Sequence, residues 1–177
     1  TSIRDLSGQV PNFFIPNYGS SMSTTSYIRG IGSRNSGQSM ALYVDNVPYF
    51  DKSTFDFDFY DIRQIEVLRG AQGTLYGRNA EGGIVNIYTL SPLNYQGTKL
   101  SVNVGNYGLV GEKLAHYGKL GDNFGYAISG YYNHDDGFFT NKFTNQSADA
   151  STSAGGRIKF DWNISPSFKA QYSTNFD

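Results

Sequence analysis

The side chains able to do chemistry are few, and their spacing argues against catalysis. Gly70, Gly73, Gly77, Gly82 and Gly83 have the density of a phosphate loop. They lack the following Lys-Ser/Thr of a Walker motif. Glycines that allow tight turns are the simpler reading. The acidic-aromatic run Asp56-Phe57-Asp58-Phe59-Tyr60-Asp61 departs from the Asp-x-Asp-x-Asp-Gly pattern of a calcium loop and reads as a solvated face. His116 and His134 are the two histidines, and they form no spaced pair of metal ligands. No Ser/His/Asp or Cys/His arrangement offers a nucleophile with its base. The expectation is a non-enzyme with no catalytic residues, no metal site and no cofactor.

Composition narrows the class. The 177 residues carry 14 Lys+Arg and 15 Asp+Glu, a net charge of −1, and no cysteine. A nucleic-acid binder would show a basic stripe, so nucleic acid is not an expected partner. No apolar run approaches the ~20 residues of a membrane-spanning helix, and no signal-peptide pattern opens the chain. Tyr 14, Phe 13 and Gly 21 stand against a mean hydropathy of −0.43. A soluble β-sandwich or barrel fits that composition. So does a membrane barrel, whose lipid face is diluted by a polar lumen and long loops.

The pattern along the chain separates these readings. Composition shifts near Tyr95-Gln96-Gly97, dividing an α+β unit over 1–96 from a strand-rich unit over 97–177. In the first unit, short strands are expected at Ser26–Arg29, Met40–Val44, Val47–Phe50, Ile62–Leu68 and Gly83–Tyr88. Asp45-Asn46 is a turn, and Ala71–Tyr76 is a short helix. In the second unit the alternation is stricter. Leu100, Val102 and Val104 share a face, as do Phe124, Tyr126, Ile128, Gly130 and Tyr132. Ile158, Phe160 and Trp162 repeat the pattern, and so do Phe168, Ala170, Tyr172, Thr174 and Phe176. Period two gives each strand one apolar and one polar face. Only Leu109–Leu120 has no clean phase.

Connection lengths alternate too. Gly121-Asp122-Asn123 and Asn163-Ile164-Ser165-Pro166 are tight turns, whereas His134–Thr152 is a long polar loop. Short turns on one side and long loops on the other are the outer-membrane pattern. Phe124, Trp162 and Phe168 fall at the short-turn end of the apolar face, and Tyr132 at the other end. Two interfacial aromatic girdles would be placed so. A soluble core would gather its aromatics mid-strand. Five strands, four of them cleanly alternating, therefore favour a wall in lipid.

Two stretches carry a family resemblance. One is Tyr27-Ile28-Arg29-Gly30-Ile31-Gly32, with Leu42-Tyr43-Val44-Asp45-Asn46-Val47-Pro48 after it. The other runs from Ile65-Glu66-Val67-Leu68-Arg69-Gly70 to Gly82-Gly83-Ile84-Val85-Asn86-Ile87. In order and spacing they resemble the plug of TonB-dependent outer-membrane receptors. The resemblance covers roughly Ser2–Pro92. It implies an α+β plug domain followed by the N-terminal strands of a transmembrane antiparallel β-barrel. The family's barrel has 22 strands, five cannot close, and lipid tolerates no open edge. The expected reading is a fragment that begins inside the plug, so the family's energy-coupling segment would lie upstream. A partial model, or a second chain supplying the other strands, stays open.

The resemblance also assigns roles. Arg29 and Arg69 would pair with barrel-wall carboxylates and lock the plug, with Glu66 as a local partner. The alternative is an ordinary ion pair within the plug. Tyr49, Phe50, Asp51 and Tyr60 would face the ligand at the top of the plug, or else pack on the wall. The implied function is energy-coupled import of a large scarce ligand such as an iron-siderophore, in the outer membrane of a Gram-negative cell. Implied partners are outer-membrane lipid, the periplasmic coupling protein TonB, a small-molecule or metal-chelate ligand, and on some variants a surface lipoprotein. Two other classes remain: a surface binding or adhesion protein without energy coupling, and a soluble β-rich binding domain.

Overall fold

A computed structural model describes residues 3–16, 25–32, 39–50, 62–77 and 79–176. Contacts divide the chain into two units, Thr1–Thr89 and Leu90–Asp177. That division falls seven residues before the compositional shift at Gln96-Gly97.

In the first unit a 3-10 turn, Ile3–Gly8, precedes a short antiparallel pair, β1 (Phe13–Phe14) with β2 (Tyr27–Ile28). The main sheet has four strands in the order β4-β3-β6-β5. They are β3 (Met40–Val44), β4 (Val47–Tyr49), β5 (Ile62–Arg69) and β6 (Gly83–Thr89). A four-residue helix, α1 (Gly73–Tyr76), lies between β5 and β6. Strand β6 is central, parallel to β3 and antiparallel to β5. Its continuous apolar run is explained by burial on both faces. Val85 and Ile87 join Met40, Leu42, Val44 and Ile28 on one side. Ile84 packs with Ala41 and Ala80 on the other. Each of the buried Val, Leu, Ile and Met side chains contributes about 1.5–3 kcal/mol relative to exposure.

Two local devices hold this sheet in register. Asp45 and Asn46 both take positive φ (49° and 68°) in the two-residue link between β3 and β4. That geometry matches strand twist in a tight hairpin, and Asp and Asn tolerate it. The Asp45 carboxylate then accepts hydrogen bonds from the N–H (2.8 Å) and hydroxyl (2.6 Å) of Thr89, fastening the turn to the end of β6. Gly83 opens β6 at φ 156°, where a Cβ would stand 2.4 Å from the Leu68 carbonyl oxygen.

The second unit is a five-stranded antiparallel meander in the order β13-β12-β9-β8-β7. Its strands are β7 (Gly97–Val104), β8 (Val110–Leu120), β9 (Phe124–Asp135), β12 (Ser151–Ser165) and β13 (Phe168–Phe176). The loop between β9 and β12 holds a small hairpin, β10 (Thr140–Asn141) with β11 (Gln146–Ser147). The Gly121-Asp122-Asn123 turn and a turn at Pro166-Ser167 join strands at one end; Asn163, Ile164 and Ser165, expected in the second turn, instead continue β12. The long loop and the Asn106–Leu109 turn lie at the other end.

Candidate functional site

Register fixes which residues of the large sheet share a face. Ile158 lies opposite both Ile128 and Thr174; Phe160 lies opposite Tyr126 and Tyr172; Trp162 lies opposite Phe124 and Ala170. The apolar phases of β9, β12 and β13 thus coincide, joined by Leu114, Leu100 and Val102 from β8 and β7. This face is open: Leu100 is 71% exposed and Ile128 51%. On the opposite, polar phase the middle of the sheet is covered, with Arg157 7% exposed and Lys159 3%, while Lys99 and Lys169 on the outer strands are exposed. Both buried cations engage partners, as desolvated charges must. A sheet that exposes its apolar phase and covers the charges at its middle is inverted for water and correct for hydrocarbon.

Aromatic placement follows the girdle expectation. At the short-turn end Phe124 stacks on Phe160 (5.8 Å between centroids) and meets Trp162 edge-on (6.3 Å), while Phe160 stacks on Tyr172 (6.2 Å). Tyr132 is exposed near the long-loop end.

The unclean phase of β8 has a structural reason. Its outward residues are Val110, Glu112, Leu114, His116, Gly118 and Leu120. His116 is accommodated by neighbours across both ladders: its Nδ1 is 2.8 Å from Thr98 Oγ1 and its Nε2 is 3.4 Å from the Tyr126 hydroxyl. The Tyr126 ring covers Gly118, where a Cβ would come within 2.5 Å of it. The sequence signal was available in the Thr98, His116 and Tyr126 triplet, but only a known register joins the three.

The long loop is built around Asp149. Its carboxylate accepts the N–H groups of Phe138 (3.0 Å) and Phe139 (2.8 Å), which holds its pKa below the ordinary carboxylate range. Phe138 packs against Tyr107 from the neighbouring turn (4.5 Å). Ser147 donates to the Asp136 carbonyl.

In the first unit the predicted lock residues divide. Arg29 has positive φ (50°), its N–H donates to the Asn12 carbonyl (2.8 Å), and its side chain is exposed. A Cβ at Gly70 would lie 3.8 Å from Arg29 Nη1, so this guanidinium sits next to the residue after Arg69, itself exposed. Glu66 is not drawn to either arginine. It accepts from Gln64 Nε2 (2.7 Å) and from the Tyr88 hydroxyl (3.3 Å). Burial first, and the Glu66 charge second, raise the Tyr88 pKa.

Of the predicted ligand-facing residues, Tyr49 packs partly against the apolar core and Phe50 is 52% exposed. Asp51 and Tyr60 lie outside the described residues. The glycine-rich loop closes on itself through backbone bonds, Gly70 N–H to Gly82 O and Gln72 N–H to Ala80 O (both 2.9 Å). Among the described residues, no three His, Asp or Glu side chains gather as a metal site.

Comparison with known proteins agrees with this architecture. The TonB-dependent Receptor Plug Domain family matches residues 1–84. The pesticin receptor of Yersinia enterocolitica is 40% identical over 85 residues, 47% of this chain and 12% of its own length. The catecholate siderophore receptor Fiu of Escherichia coli is 31% identical over 110 residues, 60% of this chain and 14% of its own. The ferric yersiniabactin uptake receptor FyuA from Yersinia pestis superposes on 92% of this chain with a TM-score of 0.79 at 27% identity. Residues 1–84 belong to the plug domain of the TonB-dependent receptors, and the fold of the chain is that of a solved receptor of this kind. That superposition takes in most of both units, and the family is one of receptors rather than enzymes. This chain spans 26% of the FyuA chain.

Proposed function

We propose that the chain is the plug and adjoining wall of an energy-coupled receptor that imports an iron-siderophore chelate across the Gram-negative outer membrane. The observation that carries this reading is the succession itself: a plug-family domain over residues 1–84, then a sheet whose apolar face is outermost. The siderophore class draws support from the catecholate siderophore and ferric yersiniabactin receptors among the relatives.

The outer membrane has no ATP or ion gradient of its own, so work must arrive from TonB on the periplasmic side and remodel the plug. The plug is suited to that: its apolar core is small, and α1 buries no side chain. Few buried contacts make local opening inexpensive. Arg29 and Arg69 are proposed to lock the plug by taking wall carboxylates: both are exposed, and a guanidinium matches a carboxylate bidentately. Tyr49 and Phe50 are proposed to meet the ligand; Asp51 and Tyr60 belong to the same proposal.

The test is uptake of radio-iron from a panel of ferric siderophores by cells carrying the full-length receptor. Uptake of one chelate, abolished when TonB is removed, is the expected outcome. Uptake that persists without TonB would remove the energy coupling, and binding with no uptake would replace import by a surface-binding role.

A further inference from the structure

Directly after the last plug strand, the chain makes a compact knot on the polar face of the large sheet. The N–H groups of Asn94 and Tyr95 both donate to the Ser91 carbonyl (3.0 Å each), and Gln96 Nε2 donates to the Pro92 carbonyl (2.9 Å). Four strands of the wall hold this turn. From β12, Asp161 Oδ2 accepts from the Ser91 hydroxyl at 2.5 Å. From β8, Tyr117 meets the Tyr95 ring edge-on at 5.1 Å, with the Lys99 ammonium of β7 4.7 Å over Tyr95. From β9, Gly125 makes room for Pro92, which is fully buried. A Cβ on Gly125 would stand 3.0 Å from the Leu93 nitrogen and 3.1 Å from Pro92 Cβ. Leu90 and Tyr95 complete a small apolar cluster with Ala115, Tyr117 and Ala127.

A passive linker would need none of these fittings. Hydrophobic, aromatic, cation–π and charge-assisted contacts converge on seven residues. The knot sits where tension passing along the plug would first reach the wall.

We propose that Leu90–Gln96 is a mechanical stop: it confines force-driven unravelling to the plug and keeps the wall strand β7 from being peeled. This rests on the reading that the plug is remodelled by pulling. Ser91, Pro92, Tyr95, Gly125 and Asp161 are its positioning residues.

The experiment is single-molecule pulling on the full-length receptor in lipid nanodiscs, with a handle at the exposed helix position Leu75→Cys. In the unaltered background, extension should halt once the chain to Thr89 is free, about 50 Å at ~3.6 Å per residue. A second, higher-force step should then add about 25 Å as the knot opens. Gly125→Leu, which takes the Pro92 seat, should merge the two steps into one of about 75 Å. The pair Tyr95→Ala with Asp161→Ala should do the same, so one misfolded variant does not decide the matter. Extension that runs through Gly97 without a halt in the unaltered receptor would overturn the stop, as would unchanged steps in both variants. This readout needs no TonB. A receptor that halts at Thr89 but imports without TonB would sink the energy-coupled reading and leave the stop standing.

Discussion

The two sheets of this chain use the same alternation to opposite ends. In the plug sheet, β6 places Val85 and Ile87 in one apolar cluster and Ile84 in another, so both faces are buried. In the wall sheet, β9 and β12 turn Ile128 and Trp162 outward and cover Ser129, Arg157 and Lys159. Water drives the first arrangement, because removing apolar surface from it is favourable. The second reverses the sign of the pattern and is stable only where the outer solvent is hydrocarbon. Period two alone therefore does not say which face is inside; the length of the connections and the placement of aromatics do.

The largest effect that would break this contrast is in the plug. Ile87→Ala should destabilise the plug by about 2–5 kcal/mol, from lost burial and the cavity left behind, while the wall still assembles. Proteolysis of the plug in a heat-modifiable, folded barrel would show it; loss of the barrel itself would count against two independent units. On the wall, Ile128→Arg should cost about 2–4 kcal/mol if the side chain meets the bilayer midplane. Ser173→Arg, in the opposite phase of β13, should cost far less. Folded yield in lipid vesicles compares the two, and equal losses would contradict the assigned faces.

Asp45→Ala should cost about 1–3 kcal/mol by stranding the Thr89 N–H, read as a lower unfolding midpoint of the plug. A midpoint unchanged from wild type would mean that the turn is not fastened there.

The smallest effect concerns the outer loop. Asp149 has a depressed folded pKa. Its stabilisation of the loop should be fully present above the unfolded Asp value of about 3.9. It should fade as pH falls through the lower folded value. Amide exchange at Phe138 and Phe139 should rise only in that acid range, and Asp149→Ala should raise it at neutral pH as well.

Much of this architecture is legible in the residues because the strands alternate without interruption. Strand β8 is the exception. Glu112 and His116 occupy its apolar phase, and what accommodates His116 there, Thr98 and Tyr126, comes from two other strands. A contact set by register is invisible until register is known. The 3-10 turn at Ile3–Gly8 and the two-residue strand at Phe13–Phe14 were missed for a different reason: elements so short show no period. The compositional shift at Gln96-Gly97 marks where regular alternation begins. Contacts divide at Leu90 because the irregular knot belongs to the wall by packing, which composition does not record.

Site residues were less legible. Glu66 lies two residues from Gln64 and three from Arg69 in sequence, but the strand ladder brings it to Tyr88. Arg29 and Arg69 are far apart in sequence, and the Arg29 guanidinium comes to lie beside Gly70 only through the fold.

The most direct test of the inverted wall is quenching of a reporter moved along β12 in the full-length receptor reconstituted in lipid. Brominated lipid should quench labels at Ile158, Phe160 and Trp162 and spare those at Arg157, Lys159 and Asp161. Uniform quenching by a water-soluble agent at all six positions, or the opposite alternation, would contradict the account.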